Sequence, residues 1–156
     1  MNTILDFQET PTPLQQASRA MRFANFLIDS IFIMLVYHTF QIATDTYVPA
    51  DAITPEGVPE ELWNLFLVQQ LTQLAITLAY YILSEYFLEG KTAGKYLTRT
   101  KAIRLDGQKM DFGTTLLRSL VRLVPFEAFS FLGPRPTGWH DRWTKTVVIK
   151  EIGNNR

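Results

Sequence analysis

The stretch Phe23–Ala43, FANFLIDSIFIMLVYHTFQIA, decides the fold class. Its 21 residues hold one charged side chain, Asp29. At about 1.5 Å per residue a helix of this length reaches about 30 Å, the thickness of a bilayer's hydrocarbon core. Arg19 and Arg22 stand just before it. Outward from this run, no Lys or Arg occurs in the 68 residues from Phe23 to Gly90. All 15 basic residues lie elsewhere in the chain of 156. A soluble domain scatters Lys and Arg over its surface. A bilayer explains the gap, because a basic side chain costs about 2.5–3.5 kcal/mol at the centre of a spanning helix.

A second apolar run covers Leu62–Leu88, long enough to span with some tilt. Between the two runs, Thr44–Glu61 carries Pro49, Pro55, Gly57 and Pro59 and only acidic charges. It reads as a loop ending in a helix start at Pro59-Glu60-Glu61. The segment Gly90–Phe112 carries six basic residues. Within it, Lys101–Leu105 and Gln108–Phe112 flank Asp106-Gly107, a β-hairpin pattern. Thr144–Lys150 reads as a final strand that can pair with this hairpin.

Thr114–Leu132 is apolar but interrupted by Arg118, Arg122, Pro125 and Glu127. The positive-inside rule places the N-terminal arm and Gly90–Phe112 in the cytoplasm. A full crossing by Thr114–Leu132 would put a basic tail outside. The segment is therefore expected to be re-entrant or interfacial, with a third span as the alternative. Arg118 and Arg122 sit one helical turn apart, which suits a basic face meeting anionic headgroups. The expected fold is a mainly α membrane protein with two transmembrane helices, this third segment, and a small cytoplasmic hairpin and strand. The expected layout is an arm over residues 1–18, with a helix starting near Leu14. A membrane domain over 19–150 has spans near 23–43 and 62–88, and a tail covers 151–156. The acidic start is unlike a cleaved signal peptide.

Asp29 is the foremost candidate for chemistry. It lies two turns from Arg22, on a face shared with Asn25, about 10 Å deeper along the axis. An acid at that depth faces protein or a watery cavity. It either binds an ion or proton, or it is held structurally by a neighbouring helix or by Arg118 or Arg122. A polar stripe on the second run, Gln69, Gln73, Thr77, Tyr80 and Ser84, has Gln70, Tyr81 and Glu85 beside it. It either lines a path or bonds across a helix interface. His38 lies on the face opposite Asp29 and reads as an interfacial hydrogen bonder. Gly90-Lys91-Thr92 is not a phosphate loop, since the required earlier glycine is Glu85 and a spanning helix precedes it. Its glycines shape a turn. Trp139-His140-Asp141-Arg142-Trp143 suits an interfacial loop better than a catalytic pair. With no cysteine and two histidines, no metal, cofactor or catalytic constellation is expected. The chain is not read as an enzyme.

Together these pieces resemble the RDD family of bacterial membrane proteins, named for one arginine and two aspartates. The matching residues are Arg22 and Asp29 in RFANFLID, and Asp141 in His140-Asp141-Arg142. Gly90-Lys91-Thr92-Ala93-Gly94-Lys95 is similar to the family's Gly-x-Thr-x-Gly-Lys turn, and Arg118 to a further arginine. The run Arg122–Glu127 followed by Gly138–Asp141 resembles the form found in Bacteroidetes members. The distribution of basic residues puts both termini on the cytoplasmic side of an expected inner-membrane protein, and the resemblance implies a family for which ion or solute transport has been suggested. Asp29, Arg22, Asp141 and Arg118 are then ion- or proton-binding candidates, with Arg122, Glu85 and Gln73 secondary. Cation/proton exchange through Asp29 is one expectation. A scaffold or regulatory module with an Arg/Asp charge network is the alternative. Expected partners are the bilayer with its anionic lipids, and further copies or another membrane protein, but not nucleic acid.

Overall fold

The computed structural model describes residues 15–47, 57, 59–124, 127 and 138–151. Two long helices dominate: α1, Arg19–Thr44, and α2, Trp63–Phe87, which is entered through a short 3-10 turn at Glu60–Leu62. Both are long and apolar enough to cross a membrane. Only 22% and 11% of their apolar windows are buried in the protein, unlike a soluble core helix. Large side chains such as Leu35, Ile42 and Leu71 are exposed. The buried stripe of α1 is Arg22, Asn25, Asp29, Ile33, Tyr37 and Gln41, mostly polar. Polar groups face inward and apolar ones outward, the arrangement that hydrocarbon surroundings require.

Helix α1 starts at Arg19, not near Leu14. The Ser18 hydroxyl caps it by accepting from Met21 N at 3.3 Å. Residues 15–17 cannot be helical because they bond alongside the last strand. Ala17 N donates to Val148 O at 2.9 Å, and Lys150 N to Gln15 O at 2.8 Å. Ala17 joins a small core with Ala102 and Val148.

After α2 the chain turns through Gly90 into α3, Ala93–Leu97, capped by Thr92. Both motif glycines are sterically required. A Cβ on Gly90, which also has φ +89°, would lie 2.1 Å from Ala102 O. A Cβ on Gly94 would lie 2.4 Å from Asn25 O, because α3 packs directly on the α1 backbone.

Strand β1, Thr100–Arg104, pairs antiparallel with the C-terminal strand β2, Thr146–Lys150, with Ala102 opposite Val148. The final strand is as the sequence indicates, but the expected hairpin does not form. Asp106-Gly107 makes a turn, closed by Gly107 N to Arg104 O at 2.9 Å. Residues 108–112 do not continue as a strand. Asp111 instead caps helix α4, Phe112–Val121, accepting from Thr114 N at 2.7 Å. A side-chain cap of this kind is worth about 1 kcal/mol. Ten residues reach about 15 Å, too short to cross a bilayer. The rest of Thr114–Leu132, beyond Val124 and apart from Glu127, lies outside the described residues. A last short helix, α5, Trp139–Trp143, leads into β2.

Candidate functional site

The short elements gather at one end of the α1–α2 pair, the end of Arg22 and Glu85, here termed basal. Asp29 lies there, 3% exposed. Its Oδ1 accepts from the Tyr80 hydroxyl at 2.7 Å and from Gly94 N at 2.8 Å. Its Oδ2 accepts from the Thr92 hydroxyl at 2.7 Å. Asp29 thus ties α1 to both α2 and the Gly90–Lys95 turn. Of the structural alternatives, the neighbouring-helix one holds. It makes no ion pair with Arg118 or Arg122. Below it, the Asn25 amide sits between the hydroxyls of Thr98 and Thr100, at 2.5 and 3.0 Å.

The arginines and the other acids form a second, charged network. Arg22 Nη1 donates to Asp141 Oδ2, while its Nε and Nη2 reach Ala17 O and Val148 O, each at 3.3 Å. Arg118 Nη1 donates to the other Asp141 oxygen at 2.6 Å and to the Thr146 hydroxyl. Arg118 Nε donates to Glu85 Oε2 at 3.0 Å. Glu85 Oε1 accepts from Lys95 Nζ at 2.6 Å and from Arg122 Nη2 at 2.8 Å. An unbroken line of ion pairs therefore joins α1, α5, α4, α2 and α3.

Arg118 and Asp141 are fully buried, and Glu85 is 1% exposed. The Arg118–Arg122 face does not look outward to headgroups. It packs on α2, because Glu85 at the base of α2 attracts both guanidiniums. The Arg122 guanidinium also stacks 4.3 Å over the Tyr81 ring. The Trp139–Trp143 segment is likewise not an interfacial loop: it is helical, with His140 and Asp141 buried.

Burial alone would raise the Asp141 carboxyl. The cationic charges around it, His140 when protonated and then Arg118 and Arg22, hold it well below the usual range. Burial pushes the Lys95 ammonium down to about 8, with Glu85 opposing. Burial, then the nearby Arg122, also lowers His140, against Asp141 and Glu127. Its Nδ1 lies 2.5 Å from Glu127 Oε1, so a neutral ring carrying its proton there donates to Glu127.

Residues 16–145 match the family model described as RDD family. The chain belongs to the RDD family. Arg22 and Asp141 lie in the network just described, and Asp29 is the three-donor anchor above them. This RDD chain is a membrane-type protein with two candidate spans. No curated protein and no solved structure matches it.

The expected residues Arg22, Arg118, Asp141, Arg122 and Glu85 come together, with Asp29 adjacent. Gln73 stands apart. It is exposed beside a cleft between α1 and α2. Sequence reasoning missed Lys95, Tyr80, Thr92, Glu127 and His140 as members of the site. Lys95 and Thr92 are in the family turn, but their side-chain targets are set only by tertiary packing. A void of about 20 Å³ lies among Arg22, Asp29, Lys95 and Arg122. It has room for one water molecule.

Proposed function

We propose that this RDD chain is a non-enzymatic module of a bacterial inner membrane that scaffolds or regulates other membrane proteins or further copies of itself. The basal end, with both termini, lies on the cytoplasmic side, as the distribution of basic residues supports. The reading rests chiefly on Asp29. A carboxylate with three neutral donors at 2.7–2.8 Å and almost no exposure is a structural anchor, with no oxygen turned to an open path. The Arg22–Asp141–Arg118–Glu85 line then fixes the short cytoplasmic elements against two otherwise sparsely packed spans.

The second reading is transport or a transport accessory role, with cation/proton exchange through Asp29. It is favoured by Gln73 and Thr77, polar groups at mid-helix beside the cleft between the spans. Purified protein in liposomes separates the two. Under the scaffold reading, wild type passes no more pH-gradient-coupled cation than empty liposomes. Asp29→Asn then only loses stability, by about 1–3 kcal/mol, because an amide offers one acceptor oxygen where the site supplies three donors. Wild-type flux abolished by Asp29→Asn overturns the scaffold reading and installs the transport one.

A further inference from the structure

The polar stripe of α2 is only partly used inside the chain. Gln69 donates to Thr46 O, Tyr80 donates to Asp29, and Glu85 holds Lys95, Arg118 and Arg122. The Thr77 and Ser84 hydroxyls bond back to carbonyls of their own helix. Gln70 and Gln73 are left over. Both are exposed, and neither side-chain amide makes a hydrogen bond among the described residues. Gln73 lies ten residues from Trp63 and fourteen from Phe87, about 15 and 21 Å from the two ends of α2. Gln70 lies about 10 Å from the nearer end. On a helix that spans a bilayer, both amides face hydrocarbon, which offers neither donor nor acceptor. Such groups bond across to another helix.

The surroundings of Gln70 are shaped for one. Trp63, Leu67, Gln70, Leu74 and Thr77 follow one another at steps of four, three, four and three residues. That is the seam spacing of two helices packed side by side, and Gln73 flanks the seam. Trp63, Leu67 and Leu74 are exposed. Only 11% of the apolar window of α2 is buried, against 22% for α1.

Symmetry and chemistry select the occupant. The basic residues give every copy of the chain the same orientation in the membrane. Two copies can then pair symmetrically only about an axis along the membrane normal. Each seam residue meets its own counterpart at the same depth. A carboxylate or an ammonium there would face its own charge. An amide has both donors and an acceptor, so it can bond to its own copy. One polar residue on such a seam also fixes its register.

We propose that α2 pairs in parallel with α2 of a second copy along Trp63, Leu67, Gln70, Leu74 and Thr77, the Gln70 amides hydrogen-bonding across the axis and Gln73 at the seam's edge. This gives the scaffold reading its partner and rests on the placement of both spans in the bilayer.

The chain has no cysteine, so an introduced one reports alone. The full chain carrying Leu74→Cys is oxidised in dilute phosphatidylcholine liposomes, and the disulfide-linked dimer is read on a denaturing gel. A disulfide needs Cα atoms within about 7 Å, which seam positions reach. Val68 is exposed about 120° round the helix from Leu74, and Val68→Cys is the control. Leu74→Cys should give at least fivefold more dimer than Val68→Cys, and the yield should survive tenfold dilution with lipid. Adding Gln70→Leu and Gln73→Leu should lower it at least fivefold. Helical circular dichroism should be kept, since neither amide bonds within the described chain. Equal yields at the two positions, no dimer, or a yield untouched by the two Leu substitutions overturns the proposal. A yield lost on dilution marks random collision and overturns it too. The flux measurement is read separately: a chain that neither pairs nor passes cations leaves the scaffold reading standing while this pairing fails.

Discussion

The two ends of the α1–α2 pair are held by different physics. At the basal end, Arg22, Asp141, Arg118, Glu85 and Lys95 form a buried ionic line, and Asp29 gathers three donors above it. At the distal end the helices meet through neutral groups. The Tyr37 hydroxyl donates to Gln69 O at 3.4 Å and accepts from Gln41 Nε2 at 3.0 Å, and the Gln69 amide donates to Thr46 O. Gln41 Oε1 is buried there without a partner. The basal end is tightly specified, since every carboxylate has several donors in fixed geometry. The distal end is permissive. The module is therefore a helix pair clamped at one end, with the other free to adjust to whatever it meets.

The largest effect should come from the carboxylate with the most cations. Glu85→Gln leaves Lys95, Arg118 and Arg122 buried around a neutral amide. Breaking a buried pair by removing one partner typically costs about 3–5 kcal/mol, because the remaining charge is uncompensated. Three cations share Glu85, so the cost belongs at the upper end. Thermal unfolding in detergent should show the variant as the least stable of those considered. A loss under about 1 kcal/mol would mean that the basal clamp is not electrostatic, and the contrast between the ends would fail.

How much of this was legible in the sequence depends on whether partners are local. The two candidate spans follow from composition and length, and the shared face of Arg22, Asn25 and Asp29 follows from helical spacing alone. That face continues unbroken to Gln41. The closeness of Arg22, Arg118 and Asp141 was legible only through the family pattern. Distances along the chain of 119 residues between Arg22 and Asp141, and 23 between Arg118 and Asp141, carry no periodic signal. The failed hairpin is instructive. Asp106-Gly107 does turn the chain, but Asp111 three residues before Thr114 is also an N-cap signal, and the helix won. The vacant partner position beside β1 went to β2, whose Val- and Ile-rich run was already evident. Arg118 and Arg122 were correctly placed on one face, yet the direction of that face depended on Glu85, an acid on another helix.

A smaller effect, also confined to the basal end, should appear as a pH dependence. Burial holds His140 below its ordinary value of 6.5, so the folded state takes up this proton less readily than the unfolded state. As pH falls below about 6.5, the unfolded chain binds the proton first, and stability must fall. The Asp141 carboxyl works in the same direction in a lower window. Its stabilising charge is fully present above its unfolded value of 3.8 and erodes below it. Melting curves between pH 7 and pH 5 should therefore slope downward because of His140 alone. In His140→Gln the slope over that window should flatten. An unchanged slope would place the proton elsewhere.

The smallest effect should come from the distal end. Tyr37→Phe removes one hydroxyl that bridges Gln69 O and Gln41, at 3.4 and 3.0 Å. A neutral hydrogen bond contributes about 0.5–1.5 kcal/mol net, and bonds between helices in a bilayer average near the low end. The ring stays and keeps filling its place. The Gln41 amide, already short of one partner at Oε1, loses an acceptor for Nε2. The loss should thus be below about 1 kcal/mol, since the bonds removed join neutral groups. A Tyr37→Phe loss as large as that of Glu85→Gln would show that the distal contacts are equally specified. The helix pair would then be a rigid unit along its whole length, with no adjustable end.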